Sequence, residues 1–169
     1  MDRLVDECVL SALAERNAGG IAEWALDNVK LRESPYGGQF RADETPWLLE
    51  PLAAHADPGN QTVVMSCAAQ TGKTVSMSVA IAYSLSQNPS PHLVTFQDED
   101  SYKDYSKERL QPILESCPAL KDQWPSDRHR KTISEVFFHS CTLKLGPANN
   151  SFLRSWSIRF LYGDEVSAW

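Results

Sequence analysis

The chain has 169 residues, 42% of them hydrophobic and 22% charged, which suits one globular domain with a buried core. It contains no run of eighteen apolar residues, so we expect no membrane-spanning helix, and its acidic first residues predict no secretion signal. The net charge of -6 argues against a broad nucleic-acid-binding surface, although not against a local one. The four cysteines and four histidines contain neither a CxxC nor an HExxH pattern, so we expect no zinc site and reduced thiols.

The first third of the chain predicts helices. Residues 2–31 have apolar residues at helical spacing and divide into two amphipathic helices at Asn17, Gly19 and Gly20. A polar loop follows, and residues 47–56 predict a short helix with Thr45 as its cap and Pro46 in its first turn.

From residue 62 onward the pattern predicts alternating strands and helices. We expect strands at residues 62–66 (TVVMS), 92–96, 135–139, 142–145 and 157–162, with helices at 73–86 and 99–115. This alternation is typical of an α/β fold in which helices cover a parallel sheet. Because the last strand ends at residue 162, the sequence predicts a sheet that is incomplete at the C-terminus, as in a fragment.

A phosphate-binding turn is predicted between the TVVMS strand and the next helix. The residues of this turn are Cys67, Ala68, Ala69, Gln70, Thr71, Gly72, Lys73 and Thr74. The last three match the P-loop pattern G-x-x-x-x-G-K-[ST]. Cys67 replaces the first glycine of that pattern, which is tolerable where φ is negative. Gly72 allows close approach of the backbone to phosphate, Lys73 can reach the β- and γ-phosphates, and the Thr74 hydroxyl can ligate Mg²⁺.

A second candidate motif is the apolar strand that ends in Asp164-Glu165. Asp164 would hold the Mg²⁺ shell from the end of a strand near the turn, and Glu165 would polarise the attacking water. An acidic pair after a strand is common on protein surfaces. Its combination with Gly-Lys-Thr is much less common, and it favours an ATP-hydrolysing enzyme with ATP and Mg²⁺ as cofactors.

Four blocks in order resemble the terminase large subunits of the lambda gpA type. They are the turn with Gln70 two residues before Gly72, residues 105–113 (YSKERLQPI), residues 145–154 (LGPANNSFLR) and residues 164–169 (DEVSAW). The resemblance runs from about residue 24 to residue 169. It implies a P-loop NTPase domain of the ASCE or RecA-like class at residues 35–169, preceded by a helical segment at residues 1–34.

The resemblance also implies a function and partners. In that family the first domain hydrolyses ATP to drive double-stranded DNA into an empty procapsid, and a C-terminal nuclease domain cuts the DNA. Because the sequence ends just after Asp164-Glu165, we expect that nuclease domain to be absent here. The implied partners are double-stranded DNA, the small terminase subunit, the procapsid portal and further copies in a ring, with no membrane. The implied location is the host cytoplasm.

Two further roles follow from the resemblance and from ring motors in general. Trp47 matches a family position where an aromatic ring lies against the adenine, although a tryptophan on a short amphipathic helix is more often part of a core. Arg154 is the candidate for a catalytic arginine that stabilises γ-phosphate charge, with Arg109 as the alternative. For both arginines a plain surface position is the simpler interpretation.

Two other functions stay open. One is a superfamily-2 helicase, which shares the P-loop and the Asp-Glu strand, but Asp164-Glu165-Val166-Ser167 lacks the final His or Asp of its motif. The other is a non-catalytic module that binds nucleotide weakly or serves in assembly, because an incomplete sheet exposes strand edges. In that case the N-terminal helices could dock a small terminase subunit, although packing in a core is the commoner use of such helices.

Overall fold

A computed structural model describes residues 20–32, 38–154 and 156–166. The first of the two predicted N-terminal helices lies outside the described residues, and the second is α1 (Gly20–Asn28). Helix α1 buries Ile21, Trp24 and Ala25 against the rest of the chain. The Trp24 ring meets Tyr83 edge-on with the ring centroids 5.3 Å apart, so α1 belongs to the same core as the later helices.

The second helical region begins as predicted but without a capping hydrogen bond. A 3₁₀ turn (Pro46–Leu48) leads directly into α2 (Leu49–Ala56). Thr45 does occupy the predicted N-cap position, but its side chain makes no capping hydrogen bond. Its hydroxyl lies 3.4 Å from the Arg41 carbonyl oxygen instead, so it points back toward the preceding loop.

The two helices predicted from the apolar periodicity at residues 73–86 and 99–115 are both present. Helix α3 (Lys73–Gln87) buries an apolar face that includes Ile81 and Leu85. The predicted helix at 99–115 forms as α4 (Glu99–Asp104), a π-helix (Tyr105–Leu110) and α5 (Gln111–Ser116) in direct succession. Asp98 caps it by accepting a hydrogen bond from the Ser101 N–H at 2.8 Å.

Four strands form one sheet in the order β2-β3-β1-β4. They are β1 (His92–Phe96), β2 (Glu135–Phe137), β3 (Thr142–Pro147) and β4 (Phe160–Gly163). Strand β1 pairs in parallel with both β3 and β4, but β2 and β3 pair antiparallel. The expectation of a fully parallel sheet is therefore wrong for β2, because a short connection can join only antiparallel neighbours.

The predicted strand at residues 62–66 is also wrong. These residues have no regular secondary structure, and all except the half-buried Met65 are exposed, with Val64 at 84%. β-branched residues favour a strand only where a neighbour supplies hydrogen bonds and a surface to pack on. Among the described residues no strand pairs with this segment.

Two short 3₁₀ turns (Pro118–Leu120 and Arg128–Arg130) link α5 to the sheet, and helix α6 (Asn150–Leu153) lies between β3 and β4. The result is a mixed α/β fold in which helices flank a four-stranded sheet. One apolar cluster joins α1, α2, α3 and the strands, with Leu48, Leu52, Leu85 and Leu143 at most 1% exposed.

At the amino end of the sheet, β1 and β4 carry a buried aromatic cluster. The His92 ring stacks on Phe160 with the centroids 4.8 Å apart and lies parallel to Tyr162 at 6.0 Å. His55 of α2 lies against the same two rings, and its Nε2 is 2.7 Å from the Ser84 hydroxyl oxygen. Burial lowers the pKa of His92 to about 4 and also lowers the pKa of His55.

Candidate active site

The turn at residues 67–74 has the backbone conformation that close approach to an anion requires. Gly72 lies in the left-handed region with φ 88°, and Gln70 does so with φ 58°. A Cβ at position 72 would come within 3.0 Å of the Leu48 Cδ1 atom, so glycine is also needed for space. Cys67 does not have a positive φ, which is why a cysteine is compatible with the position where the common pattern has glycine.

Hydrogen bonds within the turn fix the position of the Lys73 ammonium. The Lys73 ammonium donates to the Cys67 carbonyl oxygen at 3.2 Å and to the Ala68 carbonyl oxygen at 3.4 Å. The Thr71 hydroxyl donates to the same Ala68 oxygen at 2.8 Å. These exposed carbonyl contacts are weak enough for a phosphate oxygen to replace them.

Helix α3 begins at Lys73, immediately after the left-handed glycine. Its cap residue, Gly72, has no side chain to bond the amides of the first turn. Those N–H groups and the positive end of the helix dipole are therefore available to an anion at the turn. Two groups support the turn from behind: Ser78 donates to the Thr74 carbonyl oxygen at 2.8 Å and lies 2.9 Å from the Tyr105 hydroxyl.

Strand β4 delivers the acidic pair to the same place. The Asp164 N–H donates to the Thr95 carbonyl oxygen at 3.1 Å, which extends the pairing of β4 with β1 past Gly163. The Thr74 hydroxyl oxygen and the Asp164 Oδ2 atom lie 3.5 Å apart, although the two residues are 90 positions apart in the chain. The structure thus brings the predicted metal-binding residues together.

The oxygen donors at this position fit Mg²⁺. In nucleotide sites Mg²⁺ is commonly bound by one or two protein oxygens together with substrate phosphates and water. A hydroxyl and a carboxylate oxygen at 3.5 Å provide such a pair. Within the described residues no group of three or more His, Cys, Asp or Glu side chains is placed to hold a metal ion, so a fully protein-bound site of that kind is not formed there.

Glu165, the second residue of the acidic pair, has a strained backbone conformation. Its φ is 50°, and its N–H donates to the Asp164 Oδ1 atom at 3.0 Å. Left-handed φ is uncommon for glutamate, and such strain concentrates at functional sites. The exposed Glu165 carboxylate makes no hydrogen bond or ion pair with the residues that the structure describes, and so it is accessible to water.

Trp47 lies against the turn, but through its ring nitrogen. The indole N–H donates to the Thr71 carbonyl oxygen at 2.9 Å, and the residue is 55% exposed. The tryptophan therefore braces the phosphate turn. Its predicted contact with an adenine stays a prediction.

The two candidate arginines occupy different places. Arg154 is exposed and directly follows α6, a short helix whose cap, Asn149, accepts from the Phe152 N–H at 2.8 Å. The described residues provide Arg154 with no hydrogen bond or ion pair. Arg109, on the π-helix, lines a cavity that also reaches Thr74. The structure brings neither guanidinium into hydrogen-bond contact with the acidic pair.

A family model described as the ATPase domain of the phage terminase large subunit gpA matches residues 34–169. The chain belongs to this family. No curated protein and no solved structure matches it. The match confirms the resemblance to gpA-type terminases that the four sequence blocks suggested. It includes the turn at residues 67–74, β4 and the acidic pair.

Three supporting features of this terminase ATPase region were not predicted. The sequence reasoning missed the Ser78–Tyr105 contact behind Thr74, the indole bond of Trp47 and the left-handed Gln70. Only Ser78 had a sequence signal, since it lies four residues after Thr74 on the same helical face.

None of the helices in the described part of the chain has the length and apolar character needed to cross a bilayer.

Proposed function

We propose that this chain is the ATP-hydrolysing motor part of a terminase large subunit and that it drives double-stranded DNA into a procapsid. The observation that supports this most strongly is the 3.5 Å separation of the Thr74 hydroxyl from Asp164 at the end of β4, beside the phosphate turn. Family membership favours this function over a superfamily-2 helicase. Residues 35–169 would form an ASCE-type P-loop domain, with residues 1–34 as a helical segment.

Each residue of the proposed site has a defined role. Lys73 exchanges its carbonyl contacts for the β- and γ-phosphate oxygens, while the turn from Cys67 to Thr74 holds the phosphates with its amides. Thr74 and Asp164 would hold Mg²⁺, which when bound neutralises charge on the phosphates. Glu165 orients and polarises the water that attacks the γ-phosphate. Arg154, from a neighbouring subunit of a ring, would stabilise charge on the transferred group.

The proposed partners follow from family membership. We infer that the motor acts in the host cytoplasm on double-stranded DNA, with the small terminase subunit and the procapsid portal as protein partners. A chain with net charge -6 would contact DNA through few phosphates, and a ring of copies would gather those contacts.

The test is Mg²⁺-dependent ATP hydrolysis by the full chain, with and without double-stranded DNA, beside Glu165→Gln. We expect Glu165→Gln to lower kcat by about 10²–10⁴-fold while ATP affinity changes little, because the amide cannot accept the proton. Glu23→Gln, an exposed change on α1 away from the acidic pair and from the cavity beside the turn, controls for a general effect of losing one negative charge. Unchanged turnover in Glu165→Gln would exclude Glu165 as the residue that activates water.

A second candidate function is a nucleotide-binding module without turnover. The observation that favours it is the exposed segment at residues 62–66, which leads into the turn without pairing with any strand of the described chain. Such a turn would bind ATP but hold its γ-phosphate loosely. ATP binding without hydrolysis in the presence of DNA would support this module over the motor.

A further inference from the structure

A cavity of about 310 Å³ lies beside the phosphate turn and is not explained by the phosphate and metal roles above. Three parts of the chain line it: residues 31–32 together with residues between 39 and 48, the first turns of α3, and the end of the π-helix with the start of α5. Representative lining residues are Phe40, Leu48, Val75, Glu108, Arg109 and Ile113. Its volume lies at the lower end of the range of small-molecule pockets, about 300–1,000 Å³.

The floor of this cavity is apolar and its rim is charged. Phe40, Leu48 and Ile113 are each at most 5% exposed and form the floor, whereas Glu108 and Arg109 are exposed at the rim. An apolar floor with a few polar groups at the edge is typical of pockets that bind a flat heterocycle and read its polar edge. Arg32, Arg41 and Glu44 also line the cavity, so its charged groups surround an apolar floor that suits a nucleobase.

The position of the cavity connects it to the turn. Thr74 and Val75 line it, and they follow Lys73 directly on the first turn of α3. A nucleotide whose phosphates lie on the amides of that turn therefore has its sugar and base within reach of the cavity. Trp47 is not among the lining residues, since its indole faces the Thr71 carbonyl oxygen.

We propose that this cavity binds the adenosine part of ATP, with Glu108 accepting a hydrogen bond from the exocyclic amine of the base. This rests on the proposed function, because the phosphates must first lie on the turn. Glu108 makes no hydrogen bond or ion pair with the described residues, so its carboxylate is available to a ligand. Arg109, its neighbour on the π-helix, lines the same cavity and would donate to the ribose hydroxyls.

The first experiment compares the affinity of the full chain for ATP with its affinity for inorganic tripolyphosphate, by calorimetry with Mg²⁺. Val75→Trp fills the cavity, and we expect it to weaken ATP binding about tenfold, a loss of about 1.4 kcal/mol, while tripolyphosphate binds as before. Lys107→Ala, an exposed change on the same π-helix away from the cavity, should change neither affinity. Lys73→Ala should weaken both.

The second experiment tests Glu108 with inosine triphosphate, which has a carbonyl oxygen in place of the amine. Wild type should prefer ATP over inosine triphosphate by about tenfold, since an unpaired or repelled carboxylate costs binding energy. Glu108→Ala should remove that preference. Because Glu108 is exposed, this variant keeps the test decisive if Val75→Trp does not fold.

The outcomes separate the two proposals. Equal affinity of wild type for ATP and tripolyphosphate, or wild-type ATP affinity in both Val75→Trp and Glu108→Ala, would overturn the adenosine site and leave the phosphate turn intact. If wild type binds neither ligand, the proposed function fails, and the cavity inference fails with it.

Discussion

At its amino end, strand β4 stacks the half-buried Phe160 on the buried His92, whereas at its carboxyl end it delivers Asp164 and Glu165 to an exposed turn. The first end is packed with rings and carries neutral imidazoles. The second end presents charged oxygens to solvent. The two ends lie on one four-residue strand, so changes in one can be compared directly with changes in the other.

The backbone differs between the two ends as much as the side chains do. Among the described non-glycine residues, positive φ occurs at Gln70 and Glu165. Gln70 belongs to the phosphate turn, and Glu165 follows the carboxyl end of β4 beside that turn. Strain of this kind costs of order 1–3 kcal/mol per residue and persists only where surrounding structure holds it. The comparison indicates that packing at the buried end stabilises the fold and offsets the backbone strain at the exposed end, where the ligand would bind.

The largest effect is expected for Lys73→Ala. Removing the ammonium eliminates its contacts with the phosphates, so ATP affinity should fall by at least about 100-fold, or about 2.7 kcal/mol. Because Lys73 bonds only exposed carbonyl oxygens of the turn, the thermal unfolding midpoint without ligand should change little. Calorimetric titration with ATP measures this effect, with Lys107→Ala as the matched control. Equal ATP affinity in wild type and Lys73→Ala would exclude the phosphate-binding turn.

Gly72→Ala should destabilise the exposed end next most strongly. The change forces a left-handed alanine and places its Cβ 3.0 Å from Leu48 Cδ1. We expect a loss of about 2–3 kcal/mol in the free energy of unfolding, measured with denaturant, together with weaker ATP binding.

Gly20→Ala separates the cost of a left-handed alanine from the cost of the contact with Leu48. Gly20 also has a left-handed φ, 76°, but a Cβ there would meet no atom of the described residues within 4 Å. It should therefore cost only the conformational part, about 1 kcal/mol, and leave ATP affinity unchanged. Equal losses in the two variants would show that the Leu48 contact is unimportant.

The buried end should lose stability as the pH falls. The folded-state pKa of His92, about 4, lies below its ordinary value of 6.5, because burial disfavours the charged ring. The unfolded chain therefore binds more protons between these values, and stability falls as pH decreases through that window. Between pH 7 and pH 5 the loss from His92 alone should be about 2 kcal/mol.

His92→Phe tests this source of pH dependence. Phenylalanine keeps the ring stack on Phe160 but cannot take up a proton, so most of the loss between pH 7 and pH 5 should disappear. The half-buried His55, whose pKa is also lowered by desolvation, should account for what remains. His129→Gln, at an exposed position, is the control. A pH dependence in His92→Phe as steep as in wild type would assign the effect to other groups.

The sequence predicted local elements and the chemistry of single motifs well. The apolar pattern identified α3 and β1, and Gly-Lys-Thr and Asp-Glu identified the two motifs that the structure brings together. These predictions depend on neighbouring residues, whose spacing the sequence shows directly.

Features that depend on distant parts of the chain could not be predicted in the same way. The β-branched residues at 62–66 favour a strand, but whether one forms depends on a partner that local pattern does not specify. The cavity beside Thr74 is assembled from three separate segments, and its lining residues have no common motif. The antiparallel position of β2 follows from the short connection between residues 137 and 142, a signal that the expectation of a parallel sheet overlooked.

The smallest effect is expected at Trp47, which joins the exposed end to α2. Trp47→Phe removes the N–H that donates to the Thr71 carbonyl oxygen, which should cost about 1 kcal/mol of turn stability and about fivefold in ATP affinity. Trp47→Leu should have the same effect on ATP affinity if the base lies in the cavity, because both variants lose the same hydrogen bond. Wild-type affinity in Trp47→Phe with a large loss in Trp47→Leu would instead show that an aromatic ring stacks on the adenine. ATP titrations of the two variants therefore distinguish a tryptophan that braces the turn from one that contacts the nucleotide.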